Sequence, residues 1–214
     1  MLKLNSIRNL IWLIKYRKNF KNWKKRNFNP PSPDFIKHQI LINNNLKDSL
    51  WVETGTYYGD TTKILSKIAK KVISIEADER LSMLAINKFQ KINNITIVNG
   101  KSENVLKNIL YEGIEYKNLC IYLDAHLCND HITGSKTFGE ETSGTPIMQE
   151  LSIIEKDLET RSNVNILIDD IRLFDKNFQN YSKKADLVNW CLKNDFNWEI
   201  EQDIFIAKKQ IKSS

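Results

Sequence analysis

A chain of 214 residues, 41% hydrophobic and 27% charged, has the size and make-up of a soluble globular protein with one well-buried core and appendages. The formal net charge is +6, yet residues 1–30 alone carry nine cations and no acid, which leaves the remainder at −3. Three widely spaced cysteines, Cys120, Cys128 and Cys191, argue against a disulfide scaffold and for a reduced, cytoplasmic setting.

In chain order, Leu4, Ile7, Leu10, Ile11 and Ile14 recur at helical spacing among lysines and arginines, with Trp12, Tyr16, Phe20 and Trp23 nearby. This predicts a basic amphipathic helix. Its longest uncharged run is far short of the roughly 20 apolar residues that span a bilayer, and no cleavable signal is evident. The cluster Asn29-Pro30-Pro31-Ser32-Pro33 cannot continue a helix and divides a basic arm, residues 1–30, from a body, residues 31–214. The body should open with a helix over 34–44 and then alternate. Strands are expected at 49–54, 71–76, 95–98, 119–124 and 164–168, with helices at 61–69, 79–91, 102–110, 146–159 and 182–193. Two final runs, 198–201 and 204–207, flank Gln202-Asp203 as a hairpin. The fold class is α/β: a doubly wound, Rossmann-like sheet, mostly parallel, with a C-terminal antiparallel hairpin and an N-terminal basic helix.

In an open α/β sheet ligands gather beyond the carboxyl ends of the strands, and four segments fall there. The first is the turn Glu53-Thr54-Gly55-Thr56-Tyr57-Tyr58-Gly59-Asp60-Thr61, whose glycines allow a tight turn and a close backbone approach to a small molecule. The second is Glu76, 21 positions after Gly55 and followed by Ala77, suited to accept from two ribose hydroxyls; the competing reading is a solvated carboxylate at a strand end. The third is Gly100-Lys101-Ser102, where Ser102 is either a ligand contact or a helix N-cap. The fourth is the acid set Asp124, Asp169 and Asp170. If their strands are neighbours, three carboxylates crowd one rim, and a divalent cation such as Mg2+ would relieve the repulsion. A helix cap plus a solvated acid is the alternative.

His126, two residues past Asp124, has the proton affinity of a general base, or is a loop histidine bonded to a carbonyl. The spacing of His126, Cys128 and His131 lacks a fourth ligand and argues against zinc. Residues 134–144, with Gly139 and Gly144, have the composition of a lid or of a surface loop.

Residues 35–174 resemble a bacterial family of small class I S-adenosylmethionine-dependent methyltransferases. The matching pieces are VETGTYYGDTT, ISIEAD, LDAH, Thr145 to Leu151, and Leu167 to Phe174. The resemblance implies S-adenosylmethionine held by Glu53, Gly55, Thr56, Tyr57, Gly59, Asp60, Thr61, Glu76, Ala77, Ser102 and Asp124. Lys101 departs from it, since the family often places there an acid that contacts adenine. The placing of Asp124, Asp169 and Asp170 is similar to metal-dependent sugar and catechol O-methyltransferases, which implies O-methylation of a small-molecule or glycan hydroxyl with Asp124 and His126 in catalytic roles.

A nicotinamide oxidoreductase is disfavoured by the missing GxGxxG and by the hairpin. A non-catalytic cofactor-binding adaptor and a nucleic-acid methyltransferase remain as alternatives. The arm has three readings: peripheral contact with the inner membrane surface, contact with nucleic-acid phosphates, or packing on the body with a solvated charged face.

Overall fold

The computed structural model describes residues 16–111, 116–124, 145–174 and 182–210. Helix α1 occupies residues 16–25. It is followed by α2 (Asp34–Asn43), β1 (Leu50–Thr54), α3 (Asp60–Leu65), β2 (Lys71–Glu76), α4 (Glu79–Phe89), β3 (Ile95–Asn99) and α5 (Ser102–Tyr111). Then come β4 (Asn118–Leu123), α6 (Ile147–Glu155), β5 (Asn163–Ile168), α7 (Lys184–Lys193), β6 (Asn197–Glu201) and β7 (Ile204–Gln210).

The seven strands form one sheet in the order β3-β2-β1-β4-β5-β7-β6. The first five are parallel, and β7 enters antiparallel between β5 and β6. The strands and helices expected of the body are all present, with ends displaced by a few residues where chain ends fray; the apolar stripe from Leu4 to Ile14 lies outside the described residues. The strand order reverses between β1 and β4, and such a switch point opens a crevice at the carboxyl edge.

Strand alternation divides the core between the two faces. Leu50, Val52, Ile121 and Ile166 point toward Leu106 of α5, Leu151 and Ile154 of α6 and Trp190 of α7. Trp51, Val72, Cys120, Tyr122 and Leu167 point the other way, toward Ile40 and Leu41 of α2 and Leu65 of α3. Burial on both faces explains why β1, β4 and β5 read as nearly unbroken apolar runs. The edge strand β6 is exposed throughout; Glu199 pairs with Lys208 at 2.7 Å, and such charges discourage pairing with another chain.

Helix α1 lies against the body through aromatic rings. Tyr16 meets Phe35 of α2 at 4.1 Å between centroids, and Trp23, only 5% exposed, stands edge-on to Phe28 at 5.0 Å.

Candidate active site

The turn after β1 places three residues at positive φ: Gly55 (89°), Tyr57 (49°) and Gly59 (73°). Gly59 caps α3 in the left-handed region, and a Cβ there would lie 2.5 Å from the Phe89 ring. The Gly55 and Thr56 amides both donate to the Ile75 carbonyl, at 2.9 and 3.2 Å, which pins the turn to the end of β2. Glu76 therefore stands beside the glycine turn. Its Oε2 accepts from the Tyr57 amide at 2.7 Å and its Oε1 from the Asp78 amide at 3.0 Å. Burial raises the pKa of Glu76, opposed by these amides. Each oxygen keeps a second lone pair, so the carboxylate is oriented with acceptor capacity to spare.

Glu53, one strand over, is wholly buried. Its Oε2 accepts from Thr62 Oγ1 and from Ser74 Oγ, both at 2.5 Å, and Thr56 and Ser74 share a further bond of 2.6 Å. Oε1 finds no partner among the described residues. Burial pushes Glu53 up to about 8, against the pull of the Ser74 and Thr62 hydroxyls. A carboxyl in this state holds its proton near neutrality and can donate as well as accept.

At the end of β3 the Gly100 amide and the Asn99 side chain both bond the Glu76 carbonyl, at 2.9 and 3.0 Å. Ser102 is the first residue of α5, and the Lys101 carbonyl takes the first helical amides. The N-cap alternative for Ser102 is not realised. Ser102 Oγ and Glu103 Oε2 are instead shielded from water with no bonding partner among the described residues. Lys101 is exposed. An acid missing at 101 is thus present two residues later, a displacement that the expected spacing concealed.

Glu150 of α6 was also missed. It is fully buried and burial pushes it up to about 7; the Ser102 and Thr54 hydroxyls stand close enough to favour its charged form, yet none reaches it with hydrogen-bond geometry.

The acid rim differs from the expectation. The carboxylates that converge, with ligand atoms within 4.8 Å of one another, are Asp169, Asp170 and Asp203, the last from the β6–β7 turn. Asp124 ends β4 with its amide on the Thr54 carbonyl, but it stands outside that set. Two cations already occupy the cluster. Lys37 of α2 reaches Asp169 at 2.6 Å and Asp170 at 3.2 Å, and Arg172 bonds Asp170 at 2.5 Å and also Asp203. Tyr122 donates to Asp169 Oδ2 at 2.5 Å. Burial alone would lower the pKa of Lys37, but Asp169, Asp170 and Asp124 more than offset it and hold the ammonium charged. As placed, the set does not fit a divalent cation, because the oxygens that would ligate it are spent on Lys37 and Arg172.

Of the remaining expected residues, Asp60 turns a largely exposed carboxylate to Lys88 at 3.4 Å, and Thr61 faces His38 at 3.5 Å. Ala77 follows Glu76, half-buried. His126, Cys128, His131 and residues 134–144 lie outside the described residues.

The chain matches no protein-family model and no curated protein sequence. Solved structures do match. A Staphylococcus aureus protein described as a caffeoyl-CoA O-methyltransferase aligns over 97% of this chain and 99% of its own, at 16% identity and a TM-score of 0.53. The fold is that of the class I methyltransferases. A precorrin-6y C5,15-methyltransferase from Geobacter metallireducens GS-15 shares that methyltransferase architecture over 85% of this chain and 90% of its own, at 8% identity and a TM-score of 0.53. A third methyltransferase-like structure, from Streptococcus mutans and in complex with S-adenosylhomocysteine, covers 84% of this chain and 97% of its own, at 17% identity and a TM-score of 0.50.

Proposed function

We propose that this protein is an S-adenosylmethionine-dependent methyltransferase acting on a hydroxyl oxygen of a small-molecule or glycan acceptor, with residues 31–214 as the catalytic body and 1–30 as its arm. The observation that carries the reading is Glu76, buried to 2% exposure, oriented by the Tyr57 and Asp78 amides and lying against a turn with two glycines at positive φ. A tight glycine turn, beside a preset carboxylate, suits a ribose with two neighbouring hydroxyls.

The buried acceptors support the rest of the cofactor. Ser102 Oγ and Glu103 Oε2 suit the amino edge of an adenine, taking the part that Lys101 cannot. Glu53 Oε1 suits a donor at the other end, where a cationic centre would gain from the acid rim. Bound there, S-adenosylmethionine supplies a methyl group activated by its sulfonium. The chain's part is to hold the acceptor oxygen in line with that methyl and to keep water out. On this reading Asp124, at the end of β4, and His126 carry the catalytic roles, with His126 the expected acceptor of the hydroxyl proton.

The acceptor class is supported by charge. Asp124, Asp169, Asp170 and Asp203 outnumber Lys37 and Arg172 at the rim, which disfavours a phosphate backbone and tolerates a neutral polyol.

Calorimetry with S-adenosylhomocysteine tests the reading. The wild-type protein should bind it and ignore NADH, and Glu76→Ala should weaken binding by about 10- to 100-fold, the worth of hydrogen bonds to a charged group. Binding of NADH in place of S-adenosylhomocysteine overturns the proposal. Cofactor binding without turnover in any acceptor screen would leave the adaptor reading standing.

A further inference from the structure

Beyond the chemistry of the cleft, we infer that the outer face of α1 is a docking surface for an anionic lipid bilayer. Arg17, Lys18, Lys21, Lys24, Lys25 and Arg26 are all exposed, and no acid lies among residues 16–28. Arg17, Lys21 and Lys24 follow one another at helical spacing, with Lys18 and Lys25 two turns apart beside them. The helix is held in place rather than dangling. Tyr16 packs on Phe35, Trp23 is buried, and Arg26 Nη2 donates to the Pro31 carbonyl at 2.6 Å. The cations are therefore presented on a fixed platform.

Two aromatic rings sit on the same platform. Phe20 is 39% exposed and Phe28 43%, and both lean on Trp23 at 6.2 and 5.0 Å or on each other at 6.2 Å. A cluster of lysines with exposed phenylalanines between them matches a surface of anionic headgroups over an acyl boundary. The rings are tilted or edge-on to one another, so they offer no parallel faces between which bases could stack, which favours lipid over single-stranded nucleic acid. Among the described residues no helix is long and apolar enough to cross a membrane, so the contact is peripheral. The sequence before α1 adds three more cations and no acid.

Co-sedimentation of the full chain with vesicles tests this. Phosphatidylcholine vesicles containing phosphatidylglycerol should bind the protein, vesicles of phosphatidylcholine alone should not, and salt should release it. Lys18→Glu/Lys21→Glu/Lys25→Glu should lower the partition coefficient by on the order of 100-fold, from about 5-fold per cation removed. Phe20→Ala/Phe28→Ala should weaken binding without abolishing its salt dependence. Retained S-adenosylhomocysteine binding shows each variant folded, and these residues lie outside the cleft, so failure here leaves the cofactor reading intact. Equal binding to both vesicle types, no binding to either, or selective retention on single-stranded RNA overturns the inference.

Discussion

The two halves of the sheet's carboxyl edge handle buried carboxylates in opposite ways. On the β1–β2 side, Glu53 and Glu76 are met by hydroxyls and backbone amides, neutral donors that leave burial dominant and their pKa values raised. On the β5–β7 side, Asp169, Asp170 and Asp203 are met by an ammonium and a guanidinium, which pair with them directly. Neutral donors orient an acid that stays adjustable, whereas cations lock one into a fixed ion pair.

The largest effect should come from breaking the charge-locked half. Lys37→Met leaves Asp169 and Asp170 without their shared ammonium and should cost about 3–5 kcal/mol, read from urea unfolding. If Mg2+ then recovers part of the loss, the vacated position accepts a cation, and Lys37 is what excludes one.

The adjustable half predicts a pH dependence of definite sign. Folding raises Glu53 from 4.5 to about 8, so between those values the native state keeps a proton that the unfolded chain releases. Stability should fall as pH rises through that window, by up to about 1.4 kcal/mol per pH unit from this group. Glu53→Gln should flatten the slope of unfolding free energy between about pH 5 and about pH 8. An unchanged slope would assign the dependence to another acid, with Glu150, pushed up to about 7, the first to examine.

Gly59→Ala should cost about 1–3 kcal/mol, since a left-handed conformation and the Phe89 ring both resist a methyl group. Its thermal unfolding should recover in Gly59→Ala/Phe89→Leu only in so far as the ring is responsible. The smallest effect belongs to Asp60→Ala. Its exposed ion pair with Lys88 should be worth no more than about 0.5 kcal/mol, and unchanged S-adenosylhomocysteine binding would remove Asp60 from the cofactor set.

The legible part of the molecule was the part carried by local pattern. Alternating strands and helices gave the sheet, and two glycines ahead of an acid at strand spacing located Gly55, Gly59 and Glu76 together. Ser74 was visible in principle as a hydroxyl on an otherwise apolar strand, with its side chain on the same face as Glu53. Lys37 was not, because nothing in the α2 sequence announces a contact 132 positions away. Asp203 was hidden for a different reason: a hairpin turn is where an aspartate needs no explanation. Glu103 was hidden because the expected spacing puts the acid at 101, although the start of α5 allows a side chain two positions further on to reach a buried spot.

Helix α2 supplies the ammonium and the β6–β7 turn supplies a carboxylate, so the rim joins segments 166 positions apart in the chain, Lys37 and Asp203. Strand β7, which pairs with β5, lies beyond that turn in the chain. A nascent polypeptide stalled before residue 197 would expose the flank of β5 and leave Arg172 without its most enclosed counter-ion. Synthesis must therefore run through the hairpin before this rim takes its final electrostatic form.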